Sequence, residues 1–376
     1  MAWRQGSGGE TMKATILFCG PIPLSGATPV GGYEACNRRT IDALRAGGTI
    51  VHELYYPQPR GSALAKLRGY LSGFAALRRQ IRAMSKPGPE SKILHLTGLY
   101  KHFAIGEILL LRQARRHGVR TIYDIRAGSM HKHYARLGPL YRWLFRRLLC
   151  SADQIMIEGM DYAPFVAETT GGKAFYLPNH IETGSLPQRS CERASPLRLV
   201  YVGRVNLEKG VATALQTAQL LQTQGVDCEI AIIGPGDPQL IANLRSEYAP
   251  VGAQWLGSLP SAQVLEALGR SHIFIFPTRH HGEGHSNALT EAMAMGCVPV
   301  ATDNGFNRSV IGAAGMVVPF DAEAGAYAAA IAALWQQGRW PELSRAAMQR
   351  TRQLFSTEQA IARLADAYQD LLKVSR

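Results

Sequence analysis

The chain has 376 residues, of which 46% are hydrophobic and 18% are charged. This length is too great for one ordinary core, so we expect a globular protein of two domains, each of under about 200 residues. No apolar run approaches the roughly 20 residues that a membrane span requires, and residues 1–11 lack the apolar core of a signal peptide. The six cysteines are scattered without a close pair, which argues against a disulfide framework. We therefore expect a cytoplasmic protein rather than an integral membrane or secreted one.

The charge is divided unevenly along the chain. Residues 1–196 hold 27 Lys and Arg against 13 Asp and Glu, a net charge of +14, whereas residues 197–376 hold 14 against 15. Such an excess predicts an anionic partner: a nucleic acid, an anionic membrane surface or a phosphate-bearing acceptor. We do not expect a nucleic acid, because no aromatic-basic motif, zinc ligand set or helix-turn-helix pattern accompanies the charge.

Apolar runs alternate with helical patterns along the whole chain. In the first half, predicted strands lie near residues 13–19, 92–97, 120–125, 154–158 and 174–178. In the second half they lie near residues 197–203, 228–234, 273–277, 298–302 and 316–319. This alternation predicts two α/β halves, each with a parallel doubly wound sheet. Ligands bind beyond the carboxyl ends of the strands in such sheets.

A glycine pair follows the first predicted strand. The strand covers Ala14–Cys19, and a loop rich in Pro and Gly leads from it to Gly31 and Gly32. A predicted helix then runs from Tyr33 to about Arg45. Two glycines before a helix mark either a simple turn or a loop that approaches a ligand, and the residues alone leave both open.

Two segments of the first half combine helical apolar spacing with basic residues. Between Leu64 and Met84, apolar residues recur every three or four positions, with five Lys and Arg between them. In the segment Pro139–Cys150, apolar residues fall on one arc, while Trp143 and three arginines fall on the other. Two interpretations remain open: ordinary helices that pack an apolar face on a sheet, or helices that also contact the inner leaflet of a membrane.

A phosphate-binding pattern follows the strand predicted near residues 197–203. Gly203 lets the backbone come close to a ligand, Arg204 offers a bidentate grip on an anion, and Lys209 adds a point charge. The helix that begins after Gly210 contributes free N–H groups and a favourable dipole. Asp237 follows the next strand and is predicted to lie at the same edge of the sheet.

Two carboxylates flank a predicted junction between a loop and a helix. Glu283 lies on the loop and Glu291 on the helix, for which Ser286 and Asn287 are N-cap residues and Gly296 is the stop signal. If the first half of the segment from Glu283 to Glu291 is not helical, both carboxylates can turn toward one ligand. They can then accept hydrogen bonds from sugar or ribose hydroxyls. Two glutamates on the surface of an ordinary helix are the plain alternative.

Three histidines near Glu283 raise the question of a zinc site. His280, His281 and His285 lack the i, i+4 helical pairing of a hydrolytic zinc site, so we expect no metal there. We expect His281 or His285 to line a sugar pocket or to bond loop carbonyls instead.

The order of these motifs resembles the C-terminal half of the retaining glycosyltransferases of family 4. The resemblance is carried by Gly203–Gly210, Ile232–Asp237 and Glu283–Glu291, and it is strongest from about Leu197 to Pro319. It implies an α/β protein of the GT-B fold, with two Rossmann-like doubly wound domains that face each other across a cleft. It also implies a metal-independent enzyme that needs no cofactor besides its nucleotide-sugar co-substrate.

Carried over residue by residue, the resemblance assigns a role to each motif. The catalytic residues are Glu283, which holds hydroxyls of the donor sugar, and Arg204 with Lys209, which stabilise the departing diphosphate. Glu291 holds the ribose. The remaining residues assigned to donor binding are Gly203, Gly31, Gly32, Gly284, His285, Ser286, Asn287 and Asp237.

The chain departs from the family pattern in three places. Instead of the family's Gly-Gly and Glu it has Thr302–Arg308, whose polar residues either contact the donor or build a turn. Where the family presents a histidine from its N-terminal domain, Arg126 stands nearer and His131 a few residues later, so both are candidates for the acceptor or sugar side. In the inter-domain segment, His180 replaces the usual glycine.

The resemblance also implies the domain boundaries. The expected parts are a disordered tail at 1–11, an N-terminal acceptor-side domain at 12–180, a linker at 181–196, a donor-binding domain at 197–355 and a helix crossing back at 356–376.

The sequence thus predicts a hexosyltransferase-like, retaining glycosyltransferase that moves a sugar from a nucleotide-diphosphate donor to a saccharide or lipid-linked acceptor, in bacterial polysaccharide or glycolipid synthesis. We expect it in the cytoplasm, and peripheral attachment to the inner face of the cytoplasmic membrane stays open. Two other functions also stay open: a sugar-nucleotide epimerase of the GT-B fold, and a non-catalytic sugar-binding protein at the membrane. A nicotinamide-dependent oxidoreductase is not expected, because no Gly-x-Gly-x-x-Gly follows the first strand.

Overall fold

The computed structural model describes residues 14–24, 31–85, 90–172, 174–189 and 196–373. These residues form two compact units. The first unit contains the described residues up to Pro178 and the segment that begins at Thr357, whereas the second runs from Asn179 to Ser356. The predicted tail at 1–11 and residues 25–30 of the loop before Gly31 lie outside the described residues.

The first unit is a parallel sheet with helices between its strands. Its strands are β1 (Ala14–Gly20), β2 (Ile50–Tyr55), β3 (Ser91–Gly98), β4 (Arg120–Ile125), β5 (Gln154–Ile157) and β6 (Ala174–Tyr176). Its helices up to Pro178 are α1 (Gly32–Ala46), α2 (Ala63–Met84), α3 (Ala104–Arg116), α4 (Met130–Arg136), α5 (Pro139–Leu149) and α6 (Ala163–Thr170). The strands lie in the order β2-β1-β3-β4-β5-β6, and all neighbours are parallel.

The second unit repeats this plan with six further strands. They are β7 (Leu197–Val202), β8 (Cys228–Ile233), β9 (Gln254–Gly257), β10 (Ile273–Phe276), β11 (Val298–Thr302) and β12 (Met316–Val318). Its helices are α7 (Val211–Thr223), α8 (Pro238–Glu247), α9 (Ser261–Gly269), α10 (Asn287–Ala294), α11 (Asn307–Ile311), α12 (Ala324–Gln336) and α13 (Trp340–Leu354). The last helix, α14 (Thr357–Lys373), belongs to the first unit.

The topology of the second sheet determines where a ligand can bind. Its strands lie in the order β12-β11-β10-β7-β8-β9, which, counted from β7, is the order 3-2-1-4-5-6 of a Rossmann sheet. The order reverses between β7 and β10, which are direct parallel neighbours. The loops that follow these two strands therefore lie at a topological switch point, where open α/β sheets bind ligands. The predicted parallel doubly wound architecture is confirmed.

Two strands, β2 and β9, were not expected from the sequence. Both are edge strands of their sheets. Ile50 and Tyr55 of β2 and Leu256 of β9 are exposed, so neither strand has the continuous apolar run that identifies a central parallel strand. A strand with one free edge needs little burial, and its sequence signal is correspondingly weak.

The C-terminal helix α14 is part of the core of the first unit. Its buried side chains pack in one cluster with Ile16 and Phe18 of the central strand β1. Apolar residues spaced by three and four positions give the helix one buried face. The buried residues of that face are Ala360, Leu364, Ala367, Tyr368 and Leu371.

The two amphipathic segments are helices, but packing on the sheet accounts for only part of their apolar residues. In α2, Leu77 and Ile81 are buried, while the three leucines of the first half of the helix are exposed. In α5, Phe145 and Leu148 are buried, while Trp143 on the outer arc is exposed. No helix within the described ranges is long and apolar enough to cross a membrane.

Candidate functional site

The loop after β7 reaches the end of β10 because of a glycine. Gly210 adopts a φ of +79° at the N-cap of α7, and a Cβ atom there would lie 2.1 Å from the carbonyl oxygen of Pro277. No side chain fits that space, so the backbones of the two loops come into direct contact. This contact brings Lys209, the residue before Gly210, to the loop that follows β10.

Glu283 is held at this switch point through one of its two carboxylate oxygens. Its Oε2 accepts a hydrogen bond from Lys209 Nζ at 2.7 Å and another from the buried Thr278 Oγ1 at 2.6 Å. The side chain of Glu283 is only 6% exposed. Within the described ranges its other oxygen, Oε1, has no protein donor, which leaves an acceptor of fixed orientation for a ligand hydroxyl.

The segment in which the chain departs from the family pattern braces this loop. Asn304 Nδ2 donates to the carbonyl oxygens of Thr278 and His280, at 3.2 and 3.0 Å. At Gly305, where φ is +57°, a Cβ atom would lie 2.5 Å from the carbonyl oxygen of Glu283. Within residues 302–308, the half-buried Asp303 and the exposed Arg308 pair with each other in a polar turn. Contact of this segment with the donor stays a prediction.

A hydrogen bond at the surface joins the same two loops a second time. His280 Nδ1 lies 2.9 Å from Glu208 Oε2, and the hydrogen bond to His280 lowers the pKa of Glu208. The backbone N–H of Arg279 donates to the carbonyl oxygen of Glu208 at 2.7 Å. The contact between His280 and Glu208 therefore connects the loop after β7 to the loop after β10. The described residues contain no cluster of three potential metal ligands.

Arg204 is exposed at the carboxyl end of β7. Its carbonyl oxygen accepts a hydrogen bond from the hydroxyl of the buried Tyr201 at 2.8 Å, and burial raises the pKa of that phenol. Among the described residues, no acidic side chain pairs with the Arg204 guanidinium. At Gly234, where φ is +138°, a Cβ atom would lie 1.9 Å from the carbonyl oxygen of Gly203, so the loop after β8 packs directly on the end of β7. Approach of a ligand to Gly203 stays a prediction.

The helix α10 starts where it was predicted, but its first residues differ in detail. Ser286 occupies the N-cap position without making a side-chain capping bond. Gly284, Asn287 and Glu291 are half-buried along the loop and the first turns of the helix. His285, in contrast, is buried: its Nε2 lies 2.8 Å from Thr290 Oγ1, and its ring packs edge-on against Phe355.

Asp237 is the N-cap residue of α8. Its Oδ1 accepts a hydrogen bond from the backbone N–H of Leu240 at 2.9 Å and so caps the N-terminus of α8. This is the usual role of an aspartate that precedes a helix. One carboxylate oxygen of Asp237 is therefore already used as a helix cap. Donor binding by Asp237 stays a prediction.

In the first unit, Arg126 follows β4 directly and is buried. Its Nε donates to Asp124 Oδ2 at 2.6 Å, and its Nη1 donates to Cys36 Sγ at 2.8 Å. Burial opposes the charge of Arg126, but Asp124 raises the pKa of the guanidinium overall. The arginine that was a candidate for the acceptor side thus has its charge balanced inside the protein.

Asp124 also anchors a buried histidine. His95 Nε2 lies 3.2 Å from Asp124 Oδ2, and His95 Nδ1 lies 2.7 Å from the hydroxyl of Tyr368 on α14. A carboxylate only accepts hydrogen bonds, so Nε2 carries the proton and Nδ1 accepts from the tyrosine. Burial lowers the pKa of His95, which is therefore neutral near pH 7.

The other candidates of the first unit lie near the starts of helices. Gly31 has a φ of +89° and precedes α1, which begins at Gly32. His131 is half-buried on α4, where its ring packs edge-on against Tyr162, and burial lowers its pKa.

The sequence left the role of Asn304 open and did not point to Thr278 or Gly305, although all three residues fix Glu283 in place. Thr278, Asn304 and Gly305 each follow a strand of the second sheet by two or three residues. The rule that ligands bind beyond strand carboxyl ends marks these positions, so it was the available signal. The sequence predicts that a helix starts after Gly210, but no sequence pattern indicates the contact of Gly210 with Pro277.

The sequence has relatives among glycosyltransferases. Residues 196–337 match the family described as Glycosyl transferases group 1. The phosphatidyl-myo-inositol mannosyltransferase of Mycolicibacterium smegmatis is 30% identical over 173 residues, which are 44% of this chain and 44% of that protein. The chain thus matches less than half the length of this curated relative.

Solved structures resemble the chain over nearly its whole length. Sucrose-phosphate synthase from Thermosynechococcus elongatus has a TM-score of 0.75 at 16% identity and covers 96% of this chain and 100% of its own. The Anabaena protein HepE in complex with UDP has a TM-score of 0.68 at 14% identity, with 95% and 100% covered. With the two parallel sheets, these similarities confirm the predicted GT-B class of two Rossmann-like units.

The contact of Gly210 with Pro277 predicts a specific loss of stability. We expect Gly210→Ala to lower the free energy of unfolding by about 3 kcal/mol or more, because it adds a backbone clash to the strain of a positive φ. Gly225→Ala is the matched control, since Gly225 has the same φ of +79° but open space around its Cβ position. We expect about 1 kcal/mol from that change. Equal losses in urea unfolding would contradict the contact.

The buried neutral His95 predicts how stability depends on pH. Its pKa in the folded protein lies below the unfolded value of about 6.5, so its contribution is complete above that pH and is lost as the pH falls through it. We expect His95→Gln to flatten the decline of Tm as the pH falls below about 6.5. His131 and His133, whose pKa values burial also lowers, contribute with the same sign. An unaltered slope in the His95 variant would refute the assignment.

Proposed function

We propose that this chain, whose residues 196–337 match the family described as Glycosyl transferases group 1, is a retaining glycosyltransferase that uses a nucleotide-diphosphate sugar. The observation that carries the proposal is the geometry of Glu283. A carboxylate that is almost buried, is pinned through Oε2 and keeps Oε1 free is a fixed acceptor for a sugar hydroxyl.

The cationic side chains beside this carboxylate suit a departing diphosphate. Arg204 is exposed at the end of β7, and Lys209 has an ammonium group with three donors, of which one goes to Glu283. The helix α7 begins directly after Lys209, and its N-cap Gly210 has no side chain to occupy the first-turn N–H groups. We assign the diphosphate to this helix start, where backbone N–H groups and the dipole favour an anion.

In the proposed reaction these residues act by position and charge. As the bond between the anomeric carbon and the diphosphate oxygen breaks, negative charge grows on the diphosphate, and Arg204 and Lys209 stabilise it. Glu283 holds the sugar so that the acceptor hydroxyl attacks from the face that the diphosphate leaves, which retains the configuration. Glu291 is assigned to the ribose. No residue is assigned as the base for the acceptor proton.

The proposed donor is supported from two directions. The structure of the similar Anabaena protein contains UDP, and the relative from Mycolicibacterium smegmatis is a mannosyltransferase by name. A nucleoside diphosphate bearing a hexose fits both names and the motifs of this chain.

We propose a saccharide or lipid-linked acceptor on the side of the first unit. The phosphatidyl-myo-inositol in the name of one relative supports the lipid-linked choice. The net charge of +14 in residues 1–196 supports an anionic partner, for which we propose the inner face of the cytoplasmic membrane.

A transfer assay on variants of the second unit tests the proposal. We expect Glu283→Gln to lower the transfer rate by about 100-fold, because the amide weakens both the bond from Lys209 and the grip on the sugar. Glu229→Gln is the matched control: Glu229 also pairs with a cation, Arg198, but at the start of β8, away from the switch point. A transfer rate near that of the parent chain in the Glu283 variant would refute the assignment.

Two further experiments distinguish the transferase from the epimerase and from the non-catalytic sugar-binding protein. Thermal-shift screening against a panel of nucleotide sugars first identifies the donor, because a ligand that binds the folded state raises Tm. Incubation with that donor alone then distinguishes an epimerase, which isomerises the sugar, from a transferase, which needs an acceptor. A donor that binds but never reacts, with any acceptor offered, supports the non-catalytic sugar-binding protein.

We also propose that transfer needs no metal ion, because Arg204 and Lys209 neutralise the diphosphate. We therefore expect transfer to proceed at an unchanged rate after treatment with EDTA and gel filtration into metal-free buffer. A rate that falls with EDTA and recovers with Mg²⁺ or Mn²⁺ would show that protein cations are insufficient.

A further inference from the structure

We propose that the outer surface of α2, α3 and α5 is a docking face for an anionic lipid bilayer, into which apolar side chains insert. This inference rests on the proposed function, which gives the enzyme a lipid-linked acceptor, and it names the surface that would carry the enzyme there. The three helices are neighbours within the first unit, because α3 packs against both α2 and α5.

Close packing makes one layer of α2 and α3. Phe74 of α2 lies so near Gly106 of α3 that a Cβ atom on the glycine would be 2.7 Å from its ring. Tyr70 and Phe74 also contact Phe103, just before α3. Leu64, Leu67 and Leu71 continue the apolar stripe of α2 toward its N-terminus, where the stripe is exposed instead of covered.

The docking face carries a large share of the exposed apolar side chains. The three helices carry 7 of the 14 large hydrophobic side chains that are exposed in the described residues. Single exposed apolar residues are common, but a contiguous group of them marks an interaction site. The seven are Leu64 (57% exposed), Leu67 (55%), Leu71 (65%), Ile105 (61%), Leu109 (38%), Leu140 (77%) and Trp143 (61%).

The same three helices carry exposed basic residues and no exposed acidic residue. Their only acidic residue is Glu107, which is buried and accepts hydrogen bonds from Tyr56 and Tyr123. Apart from Arg115, which pairs with Asp153, the basic residues of these helices form no ion pair within the described ranges. Besides Arg115, the exposed basic residues are Lys66, Arg68, Arg79, Arg82, Arg116, Arg142, Arg146 and Arg147.

This combination fits a bilayer with anionic headgroups. Leucine and isoleucine side chains gain by leaving water for the boundary of the acyl chains, while arginines bind the lipid phosphates. Trp143, between Arg142 and Arg146, has the amphipathic ring that settles at that boundary. A nucleic acid would use the cations but would leave the exposed leucines in water.

Vesicle sedimentation with the full chain tests the docking face. We expect the chain to sediment with vesicles of phosphatidylcholine containing phosphatidylglycerol, and much less with pure phosphatidylcholine. The apolar insertion predicts that part of the binding persists at high salt, which screens charge but not burial. Trp143 supplies a second readout: lipids brominated on the acyl chains should quench its fluorescence, and Trp143→Phe should abolish the quenching.

Two pairs of variants separate the contributions. Leu64→Ser with Leu71→Ser should lower vesicle binding by about tenfold or more, whereas the exposed Leu256→Ser of the second unit should not change it. Arg142→Glu with Arg146→Glu should lower binding by a similar factor, of about tenfold or more, whereas Arg270→Glu with Arg352→Glu, the same change of charge in the second unit, should have a much smaller effect.

The outcomes distinguish this inference from the proposed function. Equal sedimentation of the leucine variant, absence of quenching, or binding of a duplex oligonucleotide in place of vesicles would each overturn the docking face. A thermal shift with nucleotide sugar in lipid-free buffer reports the second unit independently. If vesicle binding fails while the donor still binds, only the docking face falls. If vesicles bind while no donor binds or reacts, the proposed function falls.

Discussion

The ion pair between Lys209 and Glu283 is the interaction on which the site in the second unit depends. Each residue lies on a loop after a different strand, and the nearly buried carboxylate would not be stable there without its cation, since removal of one partner of a buried pair costs about 3 kcal/mol or more. Thr278 donates to the same oxygen of Glu283 as Lys209 does, and Asn304 donates to the carbonyl oxygens of Thr278 and His280 in the loop. Folding therefore places a charge and an open acceptor side by side at the switch point before any ligand arrives.

The arginines of this chain differ in whether their charge is available to a ligand. Arg126 is buried and its charge is balanced by Asp124, which is bonded in turn to His95, so this cation contributes to the interior of the first unit. Burial alone would raise the pKa of Asp124, but Arg126 and His95 lower it overall. Arg204 and the arginines of α5 are exposed and have no acidic partner among the described residues. The charge available to ligands thus differs from the charge counted in the sequence.

The sequence predicted the two α/β halves, because central parallel strands are continuous apolar runs. It also located Arg204, Lys209 and Glu283, because residues beyond strand carboxyl ends share one edge of a sheet. It did not reveal that Lys209 bonds Glu283, which depends on a loop contact 74 residues apart in the chain. Nor did apolar periodicity reveal that the first half of α2 is exposed, since a stripe of leucines reads the same whether a sheet or solvent faces it.

The backbone contacts at Gly210, Gly234 and Gly305 explain how such a site can persist while the sequence around it changes. Each holds two loops together through main-chain atoms alone, so the spacing of the loops is independent of which side chains line them. Two proteins can share this fold at 16% identity, as the structure of sucrose-phosphate synthase illustrates. Single substitutions in these loops can then alter which ligand the site prefers, because the main-chain contacts keep the spacing of the loops unchanged.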